Sequence, residues 1–144
     1  YLSENSNWPD EKRIEHPWLG ESVKCLGFID RMDLAYSAAN IIASRAGAMS
    51  ISELALVAKP TILIPSPHVA EDHQTKNALS LVDRDAAQMI LDSEVQQKLG
   101  ITVQDLLSDE SKTKAMCEAL KKSAQPEAYS KIVDEIELLL KSKS

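Results

Sequence analysis

Short apolar runs alternate with segments of helical spacing along this chain, and that order constrains its fold more than any other feature. The apolar runs predict strands at 23–28, 41–44, 61–64 and 86–91. Helical spacing predicts helices at 10–15, 30–39, 48–58, 73–82, 94–98, 102–108, 110–123 and 127–141. Because the apolar runs are continuous and do not alternate with polar residues, they are typical of parallel strands covered on both faces. The sequence therefore predicts an α/β fold, a Rossmann-like parallel sheet with helices on both faces.

The size and composition of the chain fit one globular domain. Its 144 residues are about one domain's worth, and 44% apolar with 26% charged residues is an ordinary balance for a chain that buries a core. No apolar run approaches the roughly 20 residues of a membrane-spanning helix. The N-terminus is polar, it lacks the apolar stretch of a signal peptide, and the first residue is not Met. We therefore expect a fragment of a longer protein.

Charge and cysteine content argue against several classes of function. The net charge is −6 and aromatic residues make up 4% of the chain, which argues against a nucleic-acid-binding domain. The two cysteines, Cys25 and Cys117, have no CxxC spacing, so a reduced, cytoplasmic protein is the simple interpretation. The three histidines show no metal-ligand spacing. We therefore expect neither a metal site nor a bound cofactor.

The segment 44–53 follows the second predicted strand and is the first candidate for a ligand site. In parallel sheets, ligands bind beyond the carboxyl ends of the strands. There Gly47 would let the backbone approach a phosphate at a helix N-terminus, and Arg45 would add a bidentate phosphate partner. Spacing alone favours a plain structural interpretation, in which Ser50 and Glu53 form a capping box that starts the regular helix at Ser50.

The segment 65–77 follows the next predicted strand and is the second candidate. His73, Gln74 and Asn77 would place imidazole and amide groups together at a helix start, an arrangement suited to binding hydroxyl groups. A proline-rigid loop with Asp72 as the N-cap explains the same residues about equally well. Both interpretations stay open on spacing alone.

Phe28 and Met32 form a third candidate, where an apolar strand end meets a helix start. The pair could sandwich a planar ring. Apolar side chains at such positions are more often part of the core, so chemistry alone favours the core interpretation.

The triplet Asp83–Arg84–Asp85 matches a DxD pattern, which holds a metal ion in some transferases. It stands at the end of a predicted helix, before a strand and on the opposite edge of the sheet from the ligand loops. We therefore expect no metal there. The final predicted helix carries an apolar stripe that would need a partner: Ile132, Ile136, Leu139 and Leu140.

Taken together in their order along the chain, the motifs SRAGA through Glu53, DHQTKNA at 72–78 and Phe28–Ile29–Asp30 with Met32 closely resemble the MurG family. These are the inverting N-acetylglucosaminyltransferases of peptidoglycan synthesis, which convert lipid I to lipid II. The resemblance runs from about residue 23 to 91 and continues more weakly to the end. It implies a two-domain glycosyltransferase B fold whose C-terminal half binds the donor, UDP-N-acetylglucosamine.

The resemblance implies roles for residues at the nucleoside end of the donor. The backbone of Ile29 would pair with the uracil edge, and Phe28 and Met32 would line the base pocket. Glu53 would accept hydrogen bonds from the ribose hydroxyls.

The resemblance also implies which residues face the diphosphate and the sugar. The turn facing the diphosphate would consist of Gly47, Ala48, Met49 and Ser50. Arg45 would face the diphosphate with this turn, and His73, Gln74 and Asn77 would bind the N-acetylglucosamine and the neighbouring phosphate. Two positions depart from the pattern: some relatives carry Gln where this chain has His73, and a turn Gly is common where it has Asp85. An Asp tolerates a left-handed backbone, so Asp85 fits that turn.

The resemblance further implies that residues 1–144 are an N-terminally truncated donor domain, without the glycine-rich loop that opens it and without the acceptor domain. No catalytic residue is expected in this chain, which alone would be inactive. Lipid I and the membrane would be contacted through the missing N-terminal domain, with the full enzyme peripheral on the cytoplasmic face of the inner membrane. Two alternatives stay open: another UDP-sugar glycosyltransferase or epimerase of this architecture, and a non-catalytic, flavodoxin-like interaction domain.

Overall fold

The computed structural model describes residues 26–68 and 72–141. The chain divides into two compact units, Tyr1–Ala35 and Tyr36–Ser144. The elements, in chain order, are α1 (Met32–Ala38), β1 (Ile42–Ser44), α2 (Ala48–Val57), β2 (Thr61–Leu63), α3 (His73–Val82), β3 (Gln88–Met89), a 3₁₀ turn (Asp92–Glu94), α4 (Val95–Ser108), α5 (Glu110–Ser123) and α6 (Ala128–Lys141). Every one of these elements lies in the second unit except α1, whose residues 32–35 belong to the first unit.

A parallel sheet forms the centre of the second unit. Its order is β1-β2-β3, with Ile42 opposite Thr61 and Leu63 opposite Met89. All three residues of the central strand β2 are buried. The predicted α/β class with a parallel sheet is thus confirmed, and β2 is the kind of continuous apolar strand on which that prediction rested.

Two apolar clusters lie on the two faces of this sheet. The first comprises Ala46, Leu54, Ala58, Leu63, Ala78, Leu81, Ala86, Ala87 and Leu120. The second comprises Ile62, Ile90, Leu106 and Met116. Because successive strand side chains point to opposite faces, Leu63 enters the first cluster and Ile62 the second. Helices α2 and α3 supply Leu54 and Leu81 to the first cluster and helix α4 supplies Leu106 to the second, so helices cover both faces, as predicted.

Helix ends follow local chemistry that the sequence displays. The Asp109 carboxylate accepts a hydrogen bond from the backbone N–H of Lys112 at 2.9 Å and so begins α5. Helix α2 ends at Val57. Its C-cap residue Ala58 takes a left-handed conformation (φ 51°), and Pro60 follows two residues later. The predicted and observed bounds of α2, α3 and α5 agree to within one residue, and these signals account for the start of α5 and the end of α2.

Several predicted elements differ from the structure. Residues 26–28 of the predicted strand 23–28 are not in a strand, and the rest of it, like the predicted helix 10–15, lies outside the described residues. The two helices predicted at 94–98 and 102–108 are the single helix α4, because Gly100 is exposed inside it and costs only about 1 kcal/mol there. Strand β3 is shorter than its predicted range, since its ladder covers two residues.

Helix α6 presents a long apolar surface. Every side chain from Tyr129 to Lys141 is exposed, and the large apolar ones are Tyr129, Ile132, Val133, Ile136, Leu138, Leu139 and Leu140. Across residues 26–68 and 72–141, no helix is both long enough and apolar enough to cross a membrane.

Candidate functional site

The N-terminus of α2 lies directly after the carboxyl end of β1. Gly47 is the N-cap residue, with an extended backbone (φ −66°, ψ 150°), and no side chain of the described residues caps the helix. The first intrahelical bond runs from the N–H of Ile51 to the carbonyl of Gly47 at 2.9 Å. The N–H groups of the three preceding residues therefore have no acceptor within the helix. They form an electropositive helix end suited to an anion.

The capping box predicted for α2 is wrong. The helix begins at Ala48, so Ser50 already lies in its first turn and is not the N-cap residue. Because Gly47 takes the cap position instead, Glu53 is more than one turn into the helix and bonds elsewhere. The plain structural interpretation of Ser50 and Glu53 is thereby removed.

Neither backbone strain nor internal packing requires a glycine at position 47. Its φ is negative, a value open to any residue. A Cβ built there would meet one atom of the described residues within 4 Å, the Ser50 Oγ at 3.5 Å, which is an ordinary contact. The space beside the free N–H groups is therefore open, as a ligand that approaches the backbone would need.

Helix α3 fastens the loops that follow β1 and β2. The Asn77 Nδ2 atom donates to the carbonyl of Ala46 at 3.1 Å, and Ala46 is fully buried. The Gln74 Oε1 atom accepts from the backbone N–H of Ser66 at 2.9 Å. Asn77 Oδ1 and Gln74 Nε2 lie outside these two bonds, so an acceptor and a donor remain for a ligand. The structure thus brings Gln74 and Asn77 to the Gly47 turn and the loop after β2.

The first residues of α3 behave only partly as predicted. Asp72 occupies the N-cap position, but its backbone is left-handed (φ 56°) and its side chain makes no cap bond with the described residues. His73 is the first helical residue and its side chain is exposed. The imidazole is therefore accessible from solvent at this helix start.

The Arg45 guanidinium is engaged across the ends of the strands. Its Nη1 atom forms an ion pair with Asp92 Oδ1 and also donates to the carbonyl of Ile64 at 3.4 Å. The side chains of Arg45 and Asp92 are 55% and 36% exposed, so water screens this pair. A cleft of about 410 Å³ lies beside it, lined by Ala43, Ser44, Arg45, Ile64, Asp92, Val95 and Gln96. The predicted contact of Arg45 with a diphosphate stays a prediction.

Glu53 has a partner that the sequence did not indicate. The hydroxyl of Tyr36, in the last turn of α1, donates to Glu53 Oε2 at 3.0 Å. Burial of the phenol, together with the Glu53 carboxylate, raises the pKa of Tyr36 above its usual value. Tyr36 packs against the first apolar cluster, whereas Glu53 is exposed. The partly buried Tyr36 side chain thus fixes one oxygen of the exposed Glu53 carboxylate through a hydrogen bond.

The third candidate, Phe28 with Met32, lies in the first unit, and these two side chains are not part of a buried core. Phe28 is 80% exposed, and Ile29 and Met32 are each 39% exposed. The core interpretation of Phe28 and Met32 is wrong, because residues 26–28 form no strand that would bury them. Their predicted role at a base is not tested by this exposure.

The DxD triplet stands at the edge of the sheet away from these loops. Asp83 is the C-cap residue of α3, and Asp85 has a left-handed conformation (φ 54°), which fits the position where the family resemblance implied that a turn Gly is common. Both precede β3, whereas the candidate site follows β1 and β2 in the same parallel sheet. Over the described ranges there is no group of three or more His, Cys, Asp or Glu side chains placed to hold a metal ion.

Comparison with known proteins shows the family to which this chain belongs. Residues 3–132 match the family described as the glycosyltransferase family 28 C-terminal domain. A UDP-N-acetylglucosamine–N-acetylmuramyl-(pentapeptide) pyrophosphoryl-undecaprenol N-acetylglucosamine transferase of Porphyromonas gingivalis is 52% identical over 128 residues, which cover 87% of this chain and 33% of that protein. The protein of the same name from Parabacteroides distasonis is 48% identical over 136 residues, 94% of this chain and 37% of that protein.

A solved structure agrees with the sequence relatives. The crystal structure of MurG from Acinetobacter baumannii matches with a TM-score of 0.69 and 33% identity, over 78% of this chain and 32% of that one. The chain thus spans about a third of the length of the curated relatives it matches.

Proposed function

The chain belongs to the glycosyltransferase family 28 C-terminal domain family, and on that premise we propose that it binds the UDP-N-acetylglucosamine donor of an inverting N-acetylglucosaminyltransferase. In the whole enzyme, that donor would be used to convert lipid I to lipid II in peptidoglycan synthesis. The observation that carries the proposal is the uncapped N-terminus of α2, with open space at Gly47 beside its free N–H groups.

The diphosphate is assigned to the first turn of α2. Three backbone N–H groups and the positive end of the helix dipole favour a phosphate there, and Gly47 leaves room for it. Ala48 and Met49 are exposed in this turn, so both their backbone and the space beside it are accessible. Arg45 belongs to the same edge of the sheet, but Asp92 balances its charge, so the amides contribute more than the guanidinium.

The sugar is assigned to the start of α3. Gln74 offers an N–H donor and Asn77 a carbonyl acceptor outside their internal bonds, and sugar hydroxyls need both kinds of partner. The exposed imidazole of His73 stands at the same helix start. A hexose with an N-acetyl group presents hydroxyl, carbonyl and N–H groups that match this set.

The nucleoside is assigned on the strength of the family resemblance. Glu53 would accept hydrogen bonds from the ribose hydroxyls. Phe28 and Met32 would cover the uracil, and the backbone of Ile29 would pair with its edge. Exposed apolar side chains such as Phe28, which is 80% exposed, are available for a planar ring.

The chemistry of the transfer follows from this placement. The acceptor hydroxyl attacks the anomeric carbon from the face opposite UDP, and the bond from that carbon to the diphosphate oxygen breaks. Negative charge develops on the diphosphate, where the preorganised N–H groups of α2 stabilise it. The base that removes the acceptor proton would come from outside this chain, so we propose that the isolated chain binds donor weakly and does not turn it over.

The partners of the whole enzyme follow the same proposal. Lipid I and the membrane surface would be contacted through the part of the enzyme outside this chain. The enzyme would act as a peripheral protein on the cytoplasmic face of the inner membrane.

Titration of UDP-N-acetylglucosamine and UDP-glucose by NMR tests the proposal. Saturable shifts of the backbone amides at 48–50 and 74–77 are expected, stronger with the N-acetylated sugar, and Glu53→Ala should weaken both ligands. Equal binding of both sugars would favour a different UDP-sugar enzyme. Absence of binding, with no effect of Glu53→Ala, would favour an interaction domain and overturn the proposal.

A further inference from the structure

We propose that Tyr36 is a positioning residue of the donor site: its hydroxyl bond to Glu53 Oε2 orients the carboxylate so that Oε1 receives the ribose hydroxyls. This inference rests on the proposed function and deepens it. The bond measures 3.0 Å and joins residues that are 17 positions apart. It is the one hydrogen bond that the Glu53 side chain makes with the described residues.

The two partners differ in burial. Glu53 is exposed on α2, and a long exposed carboxylate has several rotamers open to it. Tyr36 packs against the first apolar cluster, which restricts its ring. The bond from the packed Tyr36 ring to the exposed Glu53 carboxylate selects one orientation of that carboxylate before the ligand arrives. Because Glu53 is already ordered, less rotamer entropy is lost when the ligand binds.

The direction of the hydrogen bond between Tyr36 and Glu53 determines what Glu53 can offer to a ligand. The phenol donates, so the Glu53 carboxylate is the acceptor in this bond. Oε1 retains its lone pairs, which suits the two neighbouring hydroxyls of a ribose. A tyrosine phenol is protonated and able to donate throughout the neutral range, and burial together with the Glu53 carboxylate raises the pKa of Tyr36 further.

The arrangement predicts selectivity for ribose. A site built to accept hydrogen bonds from hydroxyls discriminates against an analogue that lacks them, since its polar group is then left without a partner. If Tyr36 orients Glu53, the loss of the phenol hydroxyl should weaken this discrimination while contacts with the diphosphate persist.

The test compares UDP with 2′,3′-dideoxyuridine diphosphate on the full chain and on Tyr36→Phe. This variant keeps the ring and removes the donor. We expect the affinity for UDP to fall about fivefold, the change that a typical net hydrogen bond gives, and the affinity for the dideoxy analogue to stay within about twofold. Tyr129→Phe is the matched control, because Tyr129 is 80% exposed on α6, and it should leave both affinities unchanged.

Two outcomes would overturn the inference, and they are distinguishable. If the wild-type chain binds UDP and Tyr36→Phe keeps the same ratio of affinities, Tyr36 is only structural and the proposed function stands. If the wild-type chain binds no UDP, the proposed function fails and the inference fails with it.

A second measurement on the wild-type chain covers the case in which Tyr36→Phe does not fold. In protein labelled with ¹³C at the tyrosine Cζ, UDP should shift the Tyr36 signal and the dideoxy analogue should not. Equal shifts with both ligands, or no shift with UDP at saturation, would contradict the inference.

Discussion

Asn77 and Ala46 are joined by a hydrogen bond of 3.1 Å from the Asn77 side-chain amide to the Ala46 carbonyl. The carbonyl belongs to a fully buried residue at the start of the turn that precedes α2. Helix α3 therefore holds in place the backbone that presents the free N–H groups of α2. One side chain couples the proposed sugar-binding helix to the proposed phosphate-binding turn.

Asn77→Ala should lower both stability and donor affinity. The substitution leaves the buried Ala46 carbonyl without its donor, which costs about 1–3 kcal/mol. It also removes the bond that holds the backbone of the Gly47 turn in place. Urea unfolding should show a lower midpoint with an unchanged m-value. Lys76→Ala is the control on the same helix, because Lys76 is exposed and its substitution should change the free energy of unfolding by less than about 0.5 kcal/mol. Equal stability of the two variants would contradict this coupling.

Gly47→Ser should change stability and ligand binding in opposite directions. A serine at the N-cap accepts a bond from the free N–H groups of the first turn and stabilises α2 by a few tenths of a kcal/mol. The same oxygen competes with a phosphate, so the affinity for UDP should fall. Thermal unfolding and an NMR titration measure the two effects.

Gly100→Ser is the control for that substitution. Gly100 is exposed within α4 and a Cβ there meets no described atom within 4 Å. Serine at this position should raise stability slightly through helix propensity and leave the affinity for UDP unchanged. A loss of affinity in Gly100→Ser but not in Gly47→Ser would refute the assignment of the diphosphate to α2.

Local chemistry made much of the fold predictable. Helix α3 occupies the predicted range, and the parallel sheet follows from continuous apolar runs such as β2. These features depend on neighbours in sequence: a cap, a proline, a run of side chains. The capping box failed because the pattern fits any Ser and Glu three residues apart, and only the backbone at Gly47 decides where the helix begins.

Contacts between distant residues could not be predicted in the same way. Tyr36 reaches Glu53 across 17 positions, and Arg45 reaches Asp92 across 47. Both pairs depend on how the elements pack, and the spacing of residues along one strand or helix carries no information about that. The sequence indicated that Glu53 and Arg45 are candidates, whereas the partners that orient them required the structure.

Asp92→Asn tests whether Arg45 is available to a diphosphate. The substitution removes the carboxylate charge that balances the guanidinium. Because both side chains are partly exposed, the free energy of unfolding should change by no more than about 1 kcal/mol. The affinity for UDP should rise a few-fold, and the rise should disappear in high salt because salt screens exposed charges.

Glu94→Gln is the control for that experiment. It removes a carboxylate nearby in sequence that pairs with Lys98 at 2.7 Å, and it leaves the Arg45 pair intact. Its affinity for UDP should match that of the wild type. If the affinity of Asp92→Asn for UDP also matches that of the wild type, the Arg45 guanidinium contacts only residues at the ends of the strands and does not bind the diphosphate.

Alkaline pH should destabilise the fold through Tyr36. Burial of the phenol and its bond to Glu53 raise the pKa of Tyr36 in the folded state above its unfolded value of about 10. A group whose pKa rises on folding contributes stability that is fully present below the unfolded pKa and is lost as pH rises through the folded pKa. The free energy of unfolding should therefore decline from about pH 10 upward. Tyr36→Phe should remove this part of the decline and Tyr129→Phe should not, as urea unfolding at a series of pH values would measure. An identical decline in wild type and Tyr36→Phe would mean that folding does not raise the pKa of Tyr36.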